Sequence, residues 1–143
     1  MKIKDIKKWF EVAKPNPTVE DACVQVGCHY EEVVEMADTL GDSGLRREGE
    51  NVAGAYKIKK YAYLAYLNKL SDSGKVELLD SLCDQIVTAI GVAHMLGMDI
   101  EGALDEVNKS NYSKFEGGKA VLDENGKIRK GKDYFPPDLT KFI

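Results

Sequence analysis

The chain has 143 residues, a formal net charge of −4, and a composition that is 43% hydrophobic and 31% charged. That length and apolar share suffice for one packed domain, and the acidic balance excludes a general nucleic-acid binder, which carries a basic surplus. No run of about 18 apolar residues occurs, so no membrane-spanning helix is expected. The opening Met1-Lys2-Ile3-Lys4-Asp5 lacks the apolar stretch of a secretory signal. Cys23, Cys28 and Cys83 are odd in number and have no CxxC spacing, which reads as reduced thiols in a cytoplasmic protein. Cys28 and His29 do not sit in a recognised zinc spacing.

Taken in order, Lys2 to Ala13 reads as a first helix, with Ile3, Ile6, Trp9, Phe10 and Ala13 at helical spacing. Pro15 and Pro17 end it. Thr18, followed by Glu20 and Asp21, opens a second helix that runs to about Leu40 and stops at Gly41-Asp42-Ser43-Gly44. Leu45 to Ala53 reads either as loop or as the start of the next helix. A third helix covers Ala55 to about Leu70, and Ser71-Asp72-Ser73-Gly74 breaks the chain. A fourth runs from near Lys75 to Leu96, with Gly97 as its C-terminal cap. Asp99 opens a short fifth helix through Val107. Asn125-Gly126 between short alternating segments, Ala120 to Leu122 and Lys127 to Arg129, predicts a small hairpin. Pro136-Pro137 keeps the end extended. The expected architecture is all-α, a bundle of four to five helices, as a single domain over 1–143: a helical core to about 108 and a basic, irregular arm over 109–143.

Two acidic runs stand out: Glu31-Glu32-Val33-Val34-Glu35, and Glu77-Leu78-Leu79-Asp80-Ser81-Leu82-Cys83-Asp84. No Lys or Arg lies between Pro15 and Leu45, or between Val76 and Asn108. At about 100° per residue, Glu31, Glu35 and Asp38 share one side of a helix, opposite Val33, Met36, Ala37 and Leu40. Alone, that is a wet acidic face. In the second run Glu77, Asp80 and Asp84 share a stripe. From Ile86 to Met95 that helix is apolar nearly all round, which predicts a central, buried helix. Carboxylates at the mouth of such a helix need a counter-charge, because burying a bare one costs several kcal/mol. A divalent ion bridging to the first run is the economical solution, and hard oxygen ligands suit Mg²⁺ or Mn²⁺. A salt bridge from a remote Lys or Arg is the alternative.

These runs resemble the signature of the all-α nucleotide pyrophosphohydrolases, the MazG, phosphoribosyl-ATP pyrophosphohydrolase and dimeric dUTPase superfamily: EExxE on one helix, ExxD on the next long one. Glu31-Glu32-Val33-Val34-Glu35 fits the first half and Glu77-Leu78-Leu79-Asp80 the second. Aligned instead on Leu96-Gly97-Met98-Asp99, Asp84 takes the place of the motif aspartate and Ser81 that of its glutamate. The resemblance covers about Thr18 to Val107, and the tail Asn108 to Phe115 with Gly118-Lys119 and Gly131 looks like a bacterial and phage MazG-related subgroup. It implies Mg²⁺-dependent hydrolysis of a (d)NTP between the α and β phosphates, giving a monophosphate and pyrophosphate, by a homodimer or homotetramer. It also implies Glu32, Glu35, Asp80 and Asp84 as metal ligands, with Glu77 as an alternative in the second run. Glu31 would ligate a further ion or orient water, and Glu35 shares the catalytic role. Phosphate charge also calls for protein cations. Asn111, Lys114 and Lys130 of the arm are the leading substrate contacts, Gln25 a further one, and Arg47, Lys57 and Lys60 are possible.

His29 reads as a surface or capping residue and His94 as a hydrogen-bonded core residue. Trp9, Phe10 and the tyrosines of the third helix read as packing. The cysteines have no adjacent activating base. Two other functions stay open: a non-catalytic helical module that binds nucleotide or metal, and a hydrolase of another pyrophosphate-containing nucleotide.

Overall fold

The computed structural model describes residues 3–143. Among them are six α-helices: α1 (Ile3–Ala13), α2 (Val19–Thr39), α3 (Ser43–Lys57), α4 (Tyr61–Asn68), α5 (Asp72–Met95) and α6 (Ile100–Tyr112). Two short strands, β1 (Val121–Leu122) and β2 (Ile128–Arg129), form the expected hairpin, and a 3-10 turn closes the chain at Thr140–Phe142. The protein is all-α, as its helical periodicity predicts. Lys2, read from the sequence as part of the first helix, lies outside the described residues.

Polar caps set most helix starts. Thr18 accepts from the Asp21 backbone N–H at 3.1 Å while the Asp21 carboxylate accepts from the Thr18 N–H at 3.0 Å, a reciprocal capping box. Ser71 and Asp99 cap α5 and α6 through Gly74 and Gly102. Asp42 caps α3 through Leu45. The stretch from Leu45 to Ala53 is therefore helical, and part of the Gly41–Gly44 break is already its cap and first turn.

The predicted third helix is two helices. The chain breaks after α3 because the Lys59 N–H bonds to the Tyr56 carbonyl and the Lys60 N–H to the Ala55 carbonyl, the paired bonds of a Schellman stop. Gly41 and Gly97 end α2 and α5 in the same way. At α3 the left-handed position is held by a lysine, Lys59, at φ 55°. A non-glycine residue there costs roughly 1 kcal/mol or more. Lys59→Val should therefore lower the unfolding free energy by about 1 kcal/mol, while Lys59→Gly should hold or raise it. Urea midpoints of the two variants measure the difference, and equal midpoints would remove the strain from the account.

The chain forms two compact units that interleave in sequence. One contains Asn16–Leu70 and Leu122–Lys127. Here α2 packs along α3, with α4 beside them. Two glycines set how closely α2 and α3 approach. A Cβ on Gly27 would lie 2.8 Å from the Ala53 carbonyl oxygen, and one on Gly49 2.6 Å from Val34 Cγ2. Cys23, Val24, Val34, Ala37 and Ala53 are buried, and Tyr56 meets Tyr30 at a tilt, ring centres 5.7 Å apart, and Tyr63 edge-on at 4.5 Å.

The other unit holds the chain up to Pro15, Ser71–Val121 and Ile128–Ile143. In it α1, α5 and the closing turn all pack on α6. Trp9 is buried, stacked on Phe115 at 5.5 Å and edge-on to Phe10 at 4.9 Å. The C-terminal segment runs tethered to α6. The buried Ser110 hydroxyl donates to the Phe135 carbonyl at 2.8 Å, the Phe135 N–H donates to Ser113 Oγ, and the Asp99 N–H donates to the Phe142 carbonyl.

One expectation is overturned. α5 is not a central, buried helix: its one buried residue is Ala93, and Leu79, Ile86, Val87, Val92 and Met95 are exposed. His94 is exposed with them rather than in a core. Apolar periodicity marks which residues seek cover, and in this unit α6 supplies it only near the end of the helix.

Candidate functional site

The first acidic run sits on α2, where it turns two ways. Val24, Gly27, Glu31 and Val34 recur at helical spacing on the side that meets α3. Glu31 is thus carried toward α3 rather than onto a wet face. Its Oε1 accepts from Lys57 Nζ at 2.8 Å and its Oε2 from Lys127 Nζ at 2.7 Å. The cations missing from the local sequence come from α3 and from the hairpin loop. Burial alone would raise the Glu31 pKa, but the hydrogen bonds from Lys127 and Lys57 outweigh it and hold the carboxyl below its ordinary value. Burial likewise works against the Lys127 charge, and the bond to Glu31 overcomes it and raises that pKa. The carboxylate read from the sequence as a base or as the ligand of a further ion is already engaged by two ammonium groups.

Glu32 and Glu35 are exposed and lie one turn apart. Asp38, one turn beyond Glu35, pairs with Arg46 at 3.4 Å. Gln25 is exposed, two turns before Glu32. Met36 and Leu40 are exposed too, against the expectation of a dry face there.

The second run belongs to the other unit. Glu77, Asp80 and Asp84 are all exposed on α5, so burial does not demand a counter-ion for them. Asp80 and Asp84 stand one turn apart. In the same unit Lys114 Nζ lies 5.9 Å from the centre of the Trp9 ring and Lys130 Nζ 4.8 Å from that of Tyr134. Asn111 is half-buried near the end of α6. Among the described residues no group of three or more His, Cys, Asp or Glu side chains is gathered closely enough to hold a metal ion.

No family model matches the chain, and no curated protein or solved structure matches it significantly. The site therefore stands on its own chemistry. Glu32 with Glu35, and Asp80 with Asp84, are two couples of hard oxygen donors. Mg²⁺ is commonly held by one or two carboxylates, with water and substrate oxygens completing the shell, so each couple fits it in donor type. Burial pushes the Cys23 and Cys28 thiols up from the ordinary value, which disfavours their thiolates. No helix is long and apolar enough to cross a membrane among the described residues.

The residues that sequence reasoning missed are Lys57 and Lys127 as partners of Glu31. Lys57 was only a possible phosphate contact, and Lys127 one basic residue of the arm. The available signal was the spacing of Glu31 with Gly27 and Val34, which places it on the packed side of α2.

Proposed function

We propose that the chain is a metal-dependent nucleoside triphosphate pyrophosphohydrolase, adding water across the α–β anhydride to give a nucleoside monophosphate and pyrophosphate. The observation that carries the reading is the division of the first acidic run. Glu31 turns inward to Lys57 and Lys127, while Glu32 and Glu35 stay exposed one turn apart. Glu32 with Glu35 in one unit, and Asp80 with Asp84 in the other, are two separate couples that would each offer carboxylate oxygens to Mg²⁺ or Mn²⁺, which when bound neutralises phosphate charge and makes bound water more acidic. In one unit Lys114, Lys130 and Asn111 offer cationic and amide donors for phosphate oxygens, and in the other Gln25 offers an amide. Glu31 orients Lys57 and Lys127 instead of taking a proton. The protein acts in the cytoplasm as a homodimer or homotetramer, without nucleic acid or membrane as partner.

The test is product analysis over a panel of (d)NTPs with and without EDTA. Pyrophosphate and monophosphate should appear in equal amounts and only with Mg²⁺. Glu35→Gln and Asp84→Asn should each lower turnover by more than about 100-fold, a loss that even second-layer changes at metal sites can reach. Orthophosphate as the product, or turnover indifferent to EDTA, would sink the reading. The exposed apolar surface of α5 favours a second reading, a non-catalytic helical module. Nucleotide binding with no turnover of any triphosphate would select it.

A further inference from the structure

The hairpin loop that carries Lys127 holds a reactive pair, Asn125-Gly126. An asparagine side chain loses ammonia when the backbone nitrogen of the next residue attacks its amide carbon. Glycine allows that attack best, having no side chain to shield the nitrogen. The chain has six asparagines, and only Asn125 precedes glycine. Asn16 precedes Pro17, which has no N–H to give up. Asn51, Asn68, Asn108 and Asn111 lie within α3, α4 and α6 and precede larger residues. At Asn125 the fold itself withholds the attack. Gly126, at φ 82°, donates its N–H to the Asp123 carbonyl at 3.1 Å. The N–H groups of Asn125 and Lys127 both donate to Asp123 Oδ1, at 2.8 and 2.9 Å. Lys59 Nζ donates to the Asn125 carbonyl at 3.3 Å, and Lys127 Nζ to Glu31 at 2.7 Å. These bonds fix the peptide groups on either side of Asn125, so the Gly126 nitrogen can turn toward the side chain only when the loop lets go. Lys59 makes its bond from the left-handed region, at φ 55°, where a strained residue points to a purpose.

We propose that Asn125 is a site of spontaneous deamidation, that docking of the loop through Lys59 and Lys127 sets its rate, and that conversion undocks the loop. Hydroxide takes the Gly126 amide proton. The nitrogen attacks Asn125 Cγ, the new N–Cγ bond closes a cyclic imide, and the side-chain nitrogen takes a proton from water and leaves as ammonia. One water then opens the ring. Opening at Cγ gives aspartate, and opening at the main-chain carbonyl carbon gives isoaspartate. The balance needs only water. Isoaspartate sends the main chain through Cβ and Cγ, one methylene longer, and turns the carbonyl that Lys59 holds into a carboxylate. The Gly126 N–H then loses its register with the Asp123 carbonyl, and Lys127 shifts off Glu31. The docked loop is thus the guard of a residue whose conversion prevents its return. The inference rests on the chemistry of the loop and requires no catalytic activity.

The test incubates the full chain in mildly alkaline buffer, folded and in urea, and follows each asparagine by peptide mass spectrometry. In urea, conversion should appear at Asn125 ahead of the other asparagines. In the folded chain it should be slower by at least about tenfold, because the loop must open first. Lys59→Gly removes the ammonium from the Asn125 carbonyl while suiting the left-handed backbone. It should speed conversion in the folded chain by about two- to tenfold, the worth of one hydrogen bond, and leave the rate in urea unchanged. The isoaspartyl fraction, separated by ion exchange, should have a lower urea midpoint than the unconverted chain. Glu31→Gln should then lower that midpoint by less than it does before conversion, since Lys127 has already left. A folded rate equal to that in urea, a first conversion elsewhere, a Lys59→Gly chain no faster than wild type, or an isoaspartyl chain with an unchanged midpoint overturns the inference. No substrate is present, so failure of the pyrophosphohydrolase reading would leave these outcomes unchanged.

Discussion

Replacing Trp9 by alanine should lower the unfolding free energy by about 3–5 kcal/mol, the range for deleting a large buried aromatic. The ring is 6% exposed, stacked on Phe115 with planes 10° apart and met edge-on by Phe10. It joins α1 to the segment that follows α6, so its loss opens a cavity where two elements meet. Trp9→Phe should cost much less. The indole Nε1 is buried and has no hydrogen-bond partner among the described residues. Such an orphan donor costs about 1–3 kcal/mol, and phenylalanine removes it while keeping a ring against Phe115. Urea midpoints followed by circular dichroism measure both variants, since each lacks the only tryptophan. A Trp9→Ala loss under about 1 kcal/mol would contradict the packing described.

The second large effect is at Glu31. Glu31→Ala leaves the Lys57 and Lys127 ammonium groups turned toward one spot without the carboxylate between them. The three side chains are 26–36% exposed, so the cost falls below that of a fully buried pair, at about 2 kcal/mol. The linkage has a defined sign. A carboxyl held below its ordinary pKa contributes stability that is present above that ordinary value and is lost as pH falls through the lowered one. Lys127, raised, contributes stability below the ordinary lysine value that is lost as pH rises through the raised one. Wild type should therefore lead Glu31→Gln at neutral pH, and the gap should close in acid. Equal slopes of stability against pH for the two proteins would remove Glu31 from this role.

Much of the local structure was legible. Thr18, Asp99 and Gly97 marked helix ends because caps and left-handed glycines act through neighbouring backbone groups. Asn125-Gly126 marked the hairpin for the same reason. The break after α3 was not legible, because Lys59 occupies a position that sequence reading assigns to glycine. Nor was the exposure of α5. Its apolar residues were evident, but cover depends on which elements pack there. Both acidic runs were visible as candidate sites, yet the different employment of Glu31 was not. Its partners stand 26 and 96 residues away, beyond the reach of local charge counting.

That 96-residue separation imposes an order on the making of the protein. During synthesis α2 and α3 can meet, and Lys57 can take one oxygen of Glu31, before the hairpin loop has emerged. Lys127 arrives only later, and closing so long a loop adds only modestly to the entropy cost. A nascent or truncated chain ending before the hairpin loop therefore holds the α2–α3 pair with one cation of two. The unit reaches its full strength only when Leu122–Lys127 has folded back to complete it.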